Sequence, residues 1–178
     1  WLLLGGSFAA AQSADPPVAA PPPQLIPPER AESDGPEAPA PQTREDRLDA
    51  LFADLLAAEP ARRARITEDI ALLWSRSGSD SMDLLLRRGR MALEAGDLVR
   101  AAHHLTALTD HAPEFAEGWH ARATAFFLME QWGLALADIE RALALEPRHF
   151  GALSGLAVIL EKLDRPADAM AAWRRALA

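Results

Sequence analysis

Few side chains in this sequence have the makings of chemistry. His103, His104 and His111 lie close together, with Asp110 beside the last. On a helix His104 and His111 fall roughly on one face, so a weak metal site is conceivable. A metal centre needs three or four converging ligands, and histidines near a helix C-terminus also answer to its negative end. No metal and no cofactor are expected. There are no cysteines, which rules out disulfides, thiolate zinc sites and cysteine nucleophiles. Asp138 and Glu140 are two residues apart, so on a helix they do not face each other. No nucleophile elbow, phosphate loop or zincin helix occurs. The expectation is a non-enzyme without a small-molecule substrate, and what remains is recognition by a surface.

Composition divides the chain before any element is drawn. Ten of the 14 prolines lie before residue 44, and the rest of the 178 residues are rich in Ala, Leu and Arg. Five of the 26 acids and one of the 18 Lys and Arg also lie before residue 44, so the net charge of −8 is only about half carried by the body. Its charges are mixed in sign, with no basic stripe to neutralise phosphates, so nucleic acid is not an expected partner.

Residues 1–11 are an apolar run ending in Ala9-Ala10-Ala11, which satisfies an Ala-x-Ala cleavage pattern. They are read as part of a secretory signal peptide, which places the protein outside the cytoplasm, periplasmic or bound to the cell envelope. The run is too short to span a bilayer, which needs about 20 apolar residues, so membrane contact is expected only through this segment if it stays uncleaved. Residues 12–43 are read as a disordered linker whose proline-rich part runs from Pro16 to Thr43. Proline removes backbone donors and keeps the preceding residue out of the helical region. At about 3.1 Å per residue such a spacer reaches roughly 85 Å. The alternative for PPPQLIPP is a proline-rich ligand of some groove.

From Arg44 onward the apolar positions follow a helical period. Residues 44–81 hold two helical stretches, with Leu48, Leu51, Phe52, Leu55 and Leu56 on one face of the first. Pro60 opens the second, with Ile66, Ile70, Leu73 and Trp74 on one face and Gly78 as its stop. A longer period follows. Ala101, Ala135 and Ala169 are 34 residues apart, as are Pro113 and Pro147. Counting Ala116 as position 1, the unit 116–149 has Trp119 at 4, Ala123 at 8, Phe126 at 11, Ala135 at 20, Ile139 at 24, Ala142 at 27 and Pro147 at 32. Units 82–115 and 150–178 hold the register, the last incomplete. Small residues at 8, 20 and 27 let two helices approach, and large ones at 4, 11 and 24 fill the remaining space. Gly96-Asp97 predicts a helix end near Ala95 and a new start at Leu98. Arg88 and Arg122 stand where an apolar residue is expected, their stems covering apolar surface while their heads reach water.

This pattern resembles the tetratricopeptide repeat (TPR) family, whose unit is a 34-residue helix–turn–helix. The resemblance implies an all-α, right-handed solenoid of helical hairpins after the proline-rich segment. Residues 44–81 are then a divergent N-terminal hairpin, whether a repeat or a cap. The absence of a closing proline after Ala176 is read as a chain that continues or an end that another molecule covers.

In the family the first helix of each unit lines a concave groove. Carried over, the groove candidates are Leu86, Arg90, Leu93, His120, Thr124, Phe127 and Val158, an apolar floor with Arg90, His120 and Thr124 as hydrogen-bonding points. The Lys/Asn set by which some relatives clamp a terminal carboxylate has no counterpart here. The leading expectation is an exported adaptor that binds a protein or peptide in this groove. The alternatives are a regulatory or targeting module of an envelope enzyme or secretion assembly, and a self-associating structural array.

Overall fold

A computed structural model of the chain describes residues 43–177. The leader and nearly all of the linker lie outside the described residues. Those described form eight helices and no strand: α1 Arg44–Ala57, α2 Pro60–Trp74, α3 Asp80–Glu94, α4 Leu98–His111, α5 Ala116–Leu128, α6 Trp132–Leu145, α7 Phe150–Lys162 and α8 Pro166–Ala176. None is long and apolar enough to cross a membrane.

Helix boundaries follow local chemistry. Thr43 caps α1 through a reciprocal box, its hydroxyl accepting from the Asp46 amide at 3.1 Å and its own amide donating to the Asp46 carboxylate at 2.8 Å. Pro60 and Pro166 open α2 and α8 where a missing N–H costs nothing. Gly96 takes φ +74°, and Asp97 then caps α4 by accepting from the Arg100 amide at 3.1 Å. The matching turns of the next two hairpins put Glu130 and Asp164 at φ 60° and 56°, a region that costs a side-chain-bearing residue about 1–2 kcal/mol.

Helices α3/α4, α5/α6 and α7/α8 are three antiparallel hairpins stacked in sequence, and α3, α5 and α7 neighbour one another along one face. The 34-residue alanines are the contact points between helices, Ala101 and Ala135 fully buried and Ala169 at 2% exposure. Gly89 shows why small residues are needed there: a Cβ would lie 2.5 Å from the Leu105 side chain. Leu86, Leu105, Leu108 and Phe115 fill one layer, and Ala123, Ile139, Ala152 and Ile159 the next.

Two expectations are corrected. The head of Arg122 turns inward instead of out to water, and the side chain is only 14% exposed. It donates to Asp138 at 2.7 and 2.8 Å and to Thr109 Oγ1 at 2.8 Å, and lies 4.8 Å above the Trp119 ring. Position 7 of the central unit is thus a buried ion pair that bridges α4, α5 and α6. Arg88, by contrast, is exposed. Leu56 leaves the apolar face of α1 and is 76% exposed.

The N-terminal hairpin is helical as expected, but α2 does not pack along α3, although the two are consecutive. Its core of Leu48, Ile66, Ile70, Leu73 and Trp74 is joined instead by Phe150, from the start of α7.

Candidate functional site

The seven groove candidates divide on the face formed by α3, α5 and α7. His120, Thr124, Phe127 and Val158 converge on one cavity of about 250 Å³ between α5 and α7, together with Ala123, Ser154 and Gly155. The cavity exists because small residues stand where these helices cross. Phe127 is fixed at its rim by an edge contact with Trp132, 4.9 Å between ring centroids. Leu86 is removed from the candidate surface, because at 1% exposure it belongs to the core between α3 and α4. Leu93 is half-buried against that same core.

The polar points also differ from expectation. Thr124 Oγ1 donates to the His120 carbonyl at 3.1 Å and Ser154 Oγ to the Phe150 carbonyl at 2.9 Å. Both hydroxyl protons are used within their own helices, and the cavity wall carries no formal charge. It can accept an apolar side chain, with His120 at one end as its polar handle.

Arg90 belongs to a second cluster on the same face. Its guanidinium donates to Glu117 Oε1 and, at 3.1 Å, to Ser75 Oγ. Glu117 Oε2 is 2.7 Å from His149 Nε2, and His149 Nδ1 accepts from the Ala152 amide at 3.1 Å, capping α7. That cap assigns the tautomer: with Nδ1 accepting, Nε2 carries the proton and donates it to Glu117. Burial by itself would raise the Glu117 carboxyl, but the hydrogen bond donated by His149 and the adjoining His120 ring outweigh it and hold the group well below the usual carboxylate range. His120 Nδ1 stands 3.6 Å from Glu117 Oε1, beyond hydrogen-bond length, and is buried without a partner.

Glu117, His120 and His149 bring ligating atoms within 4.8 Å of one another. The donor set does not suit a cation. The Arg90 guanidinium already neutralises Glu117, and a metal on His149 Nε2 would force the proton onto Nδ1, against the Ala152 amide. The cluster is a hydrogen-bonded brace across α3, α5 and α7. His103, His104 and His111, the histidines first considered, do not form such a group. The residues that sequence reasoning passed over are Glu117 as a buried centre and His149. Glu117 and His149 stand at positions 2 and 34 of one unit, so the repeat register does not pair them.

No protein-family profile matches the chain. Over 139 residues it is 37% identical to a TPR repeat-containing protein of Rhizobium etli, an alignment spanning 78% of this chain and 68% of that protein. The chain belongs to the TPR family. Among solved structures, this TPR protein superposes on the TPR2B domain of yeast Sti1, solved as a complex with pHsp70, with a TM-score of 0.54 at 23% identity over 55% of this chain and 78% of that one. It also superposes on MamA, with a TM-score of 0.52 at 14% identity over 78% of both chains. MamA of Desulfovibrio magneticus gives 0.52 at 17% identity, over 76% of this chain and 74% of its own. These likenesses concern the fold.

Proposed function

We propose that this TPR protein is a non-catalytic adaptor of the cell envelope that holds a protein or peptide segment against α5 and α7 by burying one apolar side chain in the cavity between them. The observation that carries this reading is the cavity itself: open, without Asp, Glu, Lys or Arg in its wall, and lined by His120, Thr124, Phe127 and Val158. A TPR solenoid of this kind is an interaction scaffold, and the Sti1 domain that shares the fold is solved with a pHsp70 ligand. We carry over only that a domain of this fold holds a ligand. A wall without cations gives no reason to favour a partner with an acidic terminus.

Glu in place of Phe127, a side chain half-buried against the edge of the central core, puts a charge into the mouth of the cavity. Partner capture from envelope extract is expected to fall at least tenfold while helical circular dichroism is retained; undiminished capture would place the binding surface elsewhere. Export is the second part of the proposal and is supported by the apolar run before Ala9-Ala10-Ala11. Amino-terminal sequencing of the native protein is expected to find a start just after Ala11. A mature protein that retains the apolar run would remove cleavage from the account.

A further inference from the structure

Trp74 heads the fully buried large side chains among the described residues, at 2% exposure, yet two of the three rings beside it come from outside its own hairpin. Its ring stacks on His149 at 4.2 Å and 9°, and lies 4.9 Å from the Phe150 ring. The indole N–H donates to Glu146 Oε2 at 3.3 Å. Next to it Arg148 pairs with Asp49 of α1 at 2.7 Å and lies 4.5 Å over the Phe52 ring. Apart from Arg90 on Ser75, the polar links from the hairpin to the repeats meet at the turn before α7. The hairpin has its own apolar core, and α2 does not run along α3. Between them Gly78 holds φ +88° with open space around it, as a hinge requires.

We infer that the α1–α2 hairpin is an intramolecular ligand of the repeat face, seated through Trp74 and released as a unit about the Ser75–Ser79 link. The seat formed by Glu146, Arg148, His149 and Phe150 then takes a partner helical hairpin in which one helix ends in an indole and the other carries an acidic residue beside it. The contacts made by the hairpin define that chemistry. The flat His149 ring, held by its cap and by Glu117, offers a stacking face. Glu146 accepts the indole proton, and Arg148 reads the acid. The Asp49–Arg148 pair is largely exposed, so it orients more than it stabilises. Units held by few buried contacts open before the rest of a fold. This inference stands on the seat of the hairpin and not on the α5–α7 cavity, so either can fail alone.

Hydrogen exchange of the full chain tests it. In the wild type, amides of 44–74 are expected to exchange together, roughly tenfold or more faster than the buried amides of α4 and α5. Trp74→Ala is expected to accelerate 44–74 about tenfold further while α4 and α5 stay within about twofold. Indole added to Trp74→Ala is expected to raise its melting temperature by refilling the seat, with no rise in the wild type. The inference is overturned if wild-type 44–74 exchanges at the rate of α4 and α5, if Trp74→Ala loosens every helix equally, or if indole acts equally on both proteins. Should the variant not fold, the wild-type comparison decides alone.

Discussion

At the scale of single residues, two buried carboxylates make opposite kinds of prediction. Glu117 titrates well below its ordinary value of 4.5 in the folded chain. Below that value the unfolded chain therefore binds more protons than the folded one, and stability falls with pH there. Its contribution is fully present above about pH 4.5 and is lost progressively in more acid solution. Glu117→Gln is expected to melt lower at pH 7 by the equivalent of about 1–3 kcal/mol, with the gap to wild type closing below pH 4.5. Thermal melts across pH 3–7 check this, and a gap that stays constant would remove Glu117 from the brace. Asp138 is 7% exposed against 14% for Arg122. Asp138→Ala strands a buried guanidinium and is expected to cost about 3–5 kcal/mol, whereas Arg122→Leu with Asp138→Ala removes the whole pair and is expected to recover most of that. A denaturant double-mutant cycle gives the coupling directly. Neither centre was legible in the sequence, because Arg90 meets Glu117 across 27 residues and Arg122 meets Asp138 across 16. A repeat register says which residues are equivalent, not which ones touch.

At the scale of elements most of the protein could be read directly. Gly96-Asp97 marked the α3–α4 turn to the residue, and Pro60 and Pro166 marked two helix starts, because capping and proline chemistry are local. The turn after α5 departs from the pattern and carries a cost. Glu130 holds φ 60° where the preceding hairpin uses Gly96. Glu130→Gly relieves that strain but adds freedom to the unfolded chain, and the balance is expected to stabilise by about 0.5–1 kcal/mol. A higher urea midpoint with an unchanged slope would bear this out. A lower one would mean that Glu130 makes a compensating contact. The groove was half legible for the same reason. Positions 5, 9 and 12 locate His120, Thr124 and Phe127 on the cavity, but Leu86, also at position 5, turns into the core.

At the scale of the whole molecule, three stacked hairpins follow from one period, since each hairpin buries its apolar stripe only against a neighbour. The seat of the N-terminal hairpin does not follow from any period. It depends on a stack of Trp74 on His149 between segments that share no register. The result is a repeat face with two unlike regions, one covered by the chain itself and one left as an uncharged cavity. The account rests on that cavity being where a partner is held. A photo-crosslinking residue placed at Val158 in the cavity, and separately at Val99, which is 73% exposed on α4, tests it most directly. The account predicts a partner adduct from Val158 that Phe127→Glu abolishes, and none from Val99. An adduct from Val99 alone, or one from Val158 that survives Phe127→Glu, would contradict it.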